Sequence, residues 1–467
     1  MNHLPSRSFL RALALALFAL GSQAAWAVLP IQHWTQPSGA QVYLVESHSI
    51  PMVDVQLDFD AGDRRDSVGK AGLASMTAAM TDKGLLPRDP SRGPPMPPGP
   101  YDGAMDETQL GEAWADLGAG FGGGAGSDRM SFSLRSLTYP DLLPQAVALA
   151  ARQLGEPSFP PDIWQRERER VAAAIREANT RPAVVAQKAY LPAVYGSHPY
   201  GWETKEASLA AISVEDMRDF YARHVQPCRA KVSIVGDVDR AQADRIAAAL
   251  LSRLPAAAQA CAPLPPVAEV QPLAAPATLS IPFASAQAHV LIGQPGYKRS
   301  DPDYFPLLVG NYILGGGGFV SRLSTEVREK RGLSYSVYSY FSPGLHAGAF
   351  TVGLQTRPDQ AAQAIEVARE VVARFVAEGP TQAELRAAKD NLVGGFPLRI
   401  DSNRKLLDNV AAIAWNDLPL DYLQTWTRRV DAVTVQDIRA AFALKLQPQR
   451  MVTVAVGAAA APQAAAR

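Results

Sequence analysis

Residues 212–236, ISVEDMRDFYARHVQPCRAKVSIVG, and residues 433–457, VTVQDIRAAFALKLQPQRMVTVAVG, run in step without a gap. At a constant offset of 221 residues, Val214, Asp216, Arg218, Gln226, Pro227, Arg229 and Gly236 coincide with Val435, Asp437, Arg439, Gln447, Pro448, Arg450 and Gly457. Each copy opens on Ser or Thr with Asp three positions later, a box that caps a helix by exchanging two hydrogen bonds. Each then runs through a helix, breaks at Gln-Pro, and ends in a β-branched strand. Chance supplies a few identities, but not the same order of cap, helix, breaker and strand. The chain therefore contains two related halves.

Strands and helices alternate within each half. MVDVQLDFD (Met52 to Asp60) places Val53, Val55, Leu57 and Phe59 on one face and Asp54, Gln56, Asp58 and Asp60 on the other. Such alternation predicts a sheet with one buried and one solvated face. Phe350, Val352 and Leu354 repeat the pattern. Helices are expected from Pro161 to about Asn179 and from Thr381 to about Leu392, the second opening on the box Thr381-x-x-Glu384. The fold class that follows is α+β: two homologous halves, each a mainly antiparallel sheet with helices packed on one face. Composition marks the joint. Residues 254–277 are rich in Ala and Pro and lack any period, a semi-extended linker between an N-terminal domain (28–253) and a C-terminal domain (278–467). A Pro-rich insertion at about 87–103 reads as a surface excursion.

Arg7 and Arg11 precede the apolar run Ala12 to Gly21, and Ala25-Trp26-Ala27 follows. This is the layout of a signal peptide over residues 1–27, which predicts a periplasmic or secreted protein. The run is too short to span a bilayer, and no cysteine follows it to take a lipid. With 45 basic and 45 acidic residues, nothing points to nucleic acid as a partner. Cys228 and Cys261 are the only cysteines. In an oxidising compartment they either pair or remain two thiols.

Two stretches bear on chemistry. In GLASMTAAM (Gly72 to Met80), Ser75, Ala78 and Ala79 stand at i, i+3 and i+4 of a short amphipathic helix. Zinc hydrolysis needs nitrogen, sulfur or carboxylate ligands and a carboxylate to take a proton. A hydroxyl and two methyls supply none of these. His33, His48, His198, His224, His289 and His346 are scattered singly. In NYILGGGGFVSRLSTEVREKRGLSYSVYSYF (Asn311 to Phe341), the run Gly315, Gly316, Gly317 and Gly318 interrupts regular structure. A helix from Ser321 to Arg331, a stop at Gly332 and a strand from Leu333 to Phe341 are expected. A tight turn then brings Arg328 and Tyr335 toward one point. By spacing alone, a plain loop with a solvated arginine and a packed tyrosine is the competing reading. Walker spacing is absent.

With these residues in view, the chain resembles the M16 (insulinase, pitrilysin-like) metallopeptidases of the short subunit type. The resemblance rests on AGDRRDSVGKAGLASMTAAMTDKG (61–84), VYGSHPYG (194–201), VGDV (235–238) and above all LGGGGFVSRLSTEVREKRGLSYSV (314–337). It implies that Ser75 and Ala79 occupy the two histidine-ligand positions of an HxxEH helix, Ala78 the catalytic glutamate, and Ala174 the distant glutamate. Glu167, Glu169 and Glu177 lie close by and read as a charged helix surface. It further implies that Tyr335 hydrogen-bonds the substrate carbonyl or oxyanion, that Arg328 orients the same region, and that the glycine run is a mobile, substrate-facing loop. This chain is then expected to bind no metal itself and to form half of a clamshell. Zinc would reside in a partner M16 subunit bearing HxxEH, and the substrate would be an extended peptide or unfolded segment. The rival readings are a peptide-binding or scaffold protein without a part in hydrolysis, and a self-sufficient peptidase with unusual ligands.

Overall fold

The computed structural model describes residues 30–93, 101–255 and 261–458. The expected signal peptide, the middle of the Pro-rich insertion and the first residues after 255 lie outside the described residues. Thirteen strands are described. The first half contributes β1 (Gln32–Thr35), β2 (Gln41–Glu46), β3 (Met52–Phe59), β4 (Gly84–Leu85), β5 (Met105–Asp106), β6 (Gly120–Ala125), β7 (Met130–Leu137) and β8 (Lys231–Gly236). The second contributes β9 (Thr278–Ile281), β10 (Ala288–Tyr297), β11 (Ser336–Phe341), β12 (Gly348–Thr356) and β13 (Val452–Val456).

The duplication seen in the sequence reappears as topology. One sheet has the order β1-β2-β8-β3-β7-β6 and the other β11-β12-β10-β13-β9. Read from its far side, β9-β13-β10-β12-β11 retraces β2-β8-β3-β7-β6. The single parallel pair falls at the same place in each, β2 with β8 and β9 with β13. β8 and β13 are the strands that close the two sequence copies. Their helices, Val214–His224 and Val435–Lys445, carry the expected boxes. Ser213 N donates to Asp216 at 2.8 Å and Thr434 N to Asp437 at 2.8 Å. The helices expected from 161 and 381 are observed as Pro161–Ala178 and Gln382–Gly394.

One expectation is corrected. The aspartate row of β3 is not solvated: Asp54 is 2% and Asp58 0% exposed. The cause is an exchange of helices between the halves. Helix Asn403–Trp415 of the second half lies across β2, β3 and β8 of the first sheet, and helix Pro182–Tyr195 of the first half lies across β10 and β13 of the second. Each sheet thus has its own helices on one face and a borrowed helix on the other. Burial forces the carboxylates to find partners. Asp58 accepts from Arg129 at 2.8 Å and Asp54 from Arg135 at 2.7 Å. Burial still holds the Asp58 carboxyl above its usual range, against the pull of Arg129. Lys231 of β8 seals the docked end of the borrowed helix. Its Nζ donates to the carbonyls of Ala414 (2.8 Å) and Trp415 (3.3 Å), a cation at the negative end of a helix dipole. On the other sheet, the Tyr190 hydroxyl donates to Phe350 O at 3.0 Å, and Ala349 N donates to the Tyr195 hydroxyl at 2.8 Å.

The two open alternatives for the cysteines resolve to a disulfide, Cys228–Cys261, with Cα atoms 5.9 Å apart. It ties the linker to the turn between helix Val214–His224 and β8. From there residues 261–277 run without regular structure. Arg229 and Arg65 hold them by the carbonyls of Ala262 and Pro265, and Glu269 accepts from Ala347 N across to the second half. At the described ends of the Pro-rich insertion, Arg88 pairs with Asp102 at 3.0 Å. Among the described residues no helix is long and apolar enough to cross a membrane.

Candidate functional site

The glycine run is not an open loop. Helix Tyr304–Asn311 continues into a π-type turn, Tyr312–Gly316, closed by Gly317 N donating to Tyr312 O at 2.7 Å, and then into a 3₁₀ turn, Gly318–Val320. The absence of side chains has two causes. A Cβ on Gly315 would collide with Ser339 of β11 and with Leu323, and Gly318 sits at φ +64°. Chain 322–329 is helical and also widens to a π turn, Ser324–Glu329. Such turns are rare and often mark functional sites. Arg322 anchors this helix by a two-pronged pair with Glu384 (2.7 and 2.8 Å), which holds the Glu384 carboxyl down at about 2.

That anchoring positions Arg328. Its guanidinium carbon lies 4.5 Å from the Phe319 ring centroid and 5.4 Å from that of Tyr335. The expected convergence of Arg328 and Tyr335 is therefore present, with a third member. Phe319 sits inside the quoted motif, but spacing gave no reason to single it out. Among the described residues the Arg328 side chain contacts rings and no carboxylate. Tyr335 is 78% and Phe319 68% exposed, and Val320 beside them is also exposed. Tyr335 immediately precedes β11, which ends its sheet and pairs with β12 alone. Tyr338 and Tyr340, on one face of β11, stack at 6.0 Å and are partly exposed. An exposed aromatic patch beside a terminal strand is an arrangement that recruits another chain.

The four positions implied for a lost zinc site are dispersed in character. Ser75 is half-buried and donates to Asp63 at 2.8 Å, Ala78 is buried, and Ala79 and Ala174 are exposed. Asp63 and Asp66 stand beside this helix. Asp66 accepts from Gly72 N (2.7 Å) and Ala74 N (2.8 Å), capping Leu73–Met80, while burial pushes its carboxyl up to about 7. Among the described residues no group of three or more His, Cys, Asp or Glu is arranged to hold a metal ion. Two histidines that look isolated in sequence do meet. His198 and His346 have ring centroids 5.0 Å apart at the seam between the halves. Burial, and then the neighbouring His346, lowers the His198 pKa. Close by, Tyr200 donates to Asp128, which also pairs with Arg64 at 3.1 Å and accepts from Leu345 N.

Fold and site together define a class: a duplicated α+β chain whose exposed chemistry is an arginine among aromatic rings beside a terminal strand. Comparison with known proteins agrees with the fold. The family model described as "Peptidase M16 inactive domain" matches residues 211–392. The crystal structure of a peptidase M16 inactive domain from Pseudomonas fluorescens superposes with a TM-score of 0.84 at 33% identity, covering 93% of this chain and 99% of that one. A protein of Helicobacter pylori described as "Non-peptidase homolog YmxG" is 26% identical over 92% of this chain and 94% of its own length. An uncharacterized zinc protease of Streptomyces coelicolor is 32% identical over 50% of this chain, and the match spans only 51% of that protein. The chain belongs to the peptidase M16 family and carries that family's inactive-type domain over residues 211–392.

Proposed function

We propose that this chain is the exported, non-catalytic subunit of an M16 zinc peptidase and that it completes the active centre of a zinc-bearing partner. In this reading Arg328 and Tyr335 act in trans on a peptide or unfolded segment bound extended. The observation that carries it is Arg328 held between Phe319 and Tyr335, with no acidic partner among the described residues. A guanidinium left without a carboxylate is a donor kept available for a substrate carbonyl. In this reading the Tyr335 hydroxyl, on an exposed ring, shares that acceptor. The positions that the resemblance aligns with the zinc ligands carry only a hydroxyl and methyls, so the ion and the general base must come from the partner. The disulfide supports an oxidising compartment such as the periplasm.

The test is reconstitution with a zinc-bearing M16 subunit and a quenched fluorogenic peptide. Tyr335→Phe is expected to lower kcat/KM about 10²–10³-fold, as loss of one oxyanion donor does. Peptidase activity indifferent to both Tyr335→Phe and Arg328→Ala would leave this chain a scaffold.

A further inference from the structure

The two exchanged helices leave a cavity of about 540 Å³ at the seam, within the range of sites that enclose small ligands. Both halves build it: Arg129 beside β7, Tyr190 and Tyr195 from helix Pro182–Tyr195, Tyr200, Tyr340 from β11, and Trp415 from the end of helix Asn403–Trp415. Three of the hydroxyls are committed inside the protein, Tyr190 to Phe350 O, Tyr195 to Ala349 N and Tyr200 to Asp128. Tyr190 and Tyr195 are buried, 0% and 8% exposed, so the ring surface open to a guest is that of Tyr200, Tyr340 and Trp415. The Trp415 indole N–H is buried without a hydrogen-bond partner, and the Arg129 guanidinium carbon lies 5.6 Å from its ring. Partly exposed rings beside a guanidinium suit an aromatic side chain.

Tyr340 connects this cavity to the Arg328 site. It stands five residues beyond Tyr335, about 17 Å along a strand. A chain laid beside β11 would project a side chain next to Tyr340, at the mouth of the cavity. We propose that the seam cavity is a specificity pocket for one aromatic residue of an extended peptide, about five residues from the amide held at Tyr335. The inference rests on the reading of the Arg328–Tyr335 surface as peptide-binding.

The test uses fluorescence anisotropy with the full mature chain. The probes are labelled fourteen-residue peptides of Gly, Ser, Thr and Val, one without aromatic residues and a series with a single Phe at successive positions. Phe at one or two adjacent positions is expected to tighten Kd about tenfold or more, as burial of a phenyl ring does. Gln187→Trp, which fills the cavity from helix Pro182–Tyr195, should erase that gain and leave the Phe-free peptide within about twofold. Tyr340→Ala, at a partly exposed ring, should erase it without adding bulk. Equal binding of all peptides, or a gain that survives both variants, overturns the pocket alone. No binding of any peptide overturns the peptide reading and the pocket with it.

Discussion

Cutting the Cys228–Cys261 bridge is the perturbation whose size follows most directly from the structure. The bridge spans a sequence separation of 33 residues. In the chain-entropy treatment, −2.1 − 1.5R ln 33 is about −12.5 cal/mol/K, or about 3.7 kcal/mol at 25 °C. The native contacts around the bridge outlast it, since Arg229 and Arg65 hold the linker independently. Most of the effect therefore falls on the unfolded chain. The duplication supplies an internal control, because Gln449 occupies the position of Cys228 in the second copy. Only the first half is tied in this way. The assay is urea unfolding of the chain, followed by tryptophan fluorescence, for the oxidised protein, the reduced protein and the Cys228→Ser/Cys261→Ser variant. Reduction and the double variant should agree, each lowering the unfolding free energy by about 3–4 kcal/mol. A loss below about 1 kcal/mol with an unchanged urea slope would refute the reasoning. So would recovery of two titratable thiols from protein isolated out of an oxidising compartment.

Other predictions concern buried charge and the glycine run. The Asp66 carboxyl holds its proton to about pH 7 when folded and releases it near pH 4 when unfolded, so folding takes up a proton between those values. Stability should fall as pH rises through that window and level off above it; Asp66→Asn should remove up to roughly 1.4 kcal/mol per pH unit of the slope in urea melts from pH 5 to 8. Glu156 is buried between Arg152 (2.9 Å) and Arg253 (2.6 Å), both equally buried. Glu156→Gln removes the counter-charge of two buried guanidinium groups, which keep only the carbonyls of Gly103, Leu86 and Asp89. It should cost about 3–5 kcal/mol by the same melts. Gly315→Ala forces a methyl into Ser339 and should destabilise by about 1–3 kcal/mol. Gly318→Ala meets open space and should cost about 1 kcal/mol, for its positive φ alone. Equal costs at the two glycines would mean that contact with β11 does not set the run.

Spacing left the Arg328–Tyr335 convergence open against a plain loop, whereas local chemistry in the chain was sufficient for the repeat, the capping boxes and the helix at 382–394. Each depends on residues within a few positions of one another, where backbone geometry fixes what meets what. Reading the aspartates of β3 as solvated failed because alternation reports two faces but not what covers the second. The covering helix begins at Asn403, some 340 residues after β3 ends, and no period in either segment refers to the other. The glycine run read as a loop because intrinsic propensity disfavours glycine in a helix; contact with β11 outweighed it. His198 with His346 and the aromatic seam are likewise assembled from segments far apart in the chain, and the cysteines are linked by the path of the linker along the first half. Sequence by itself determined the two related halves and the residues each carries, because caps, breakers and side-chain alternation act over a few residues. Only tertiary structure decided which surfaces became interior, since burial depends on which distant segment arrives, and here each half arrives on the other's sheet.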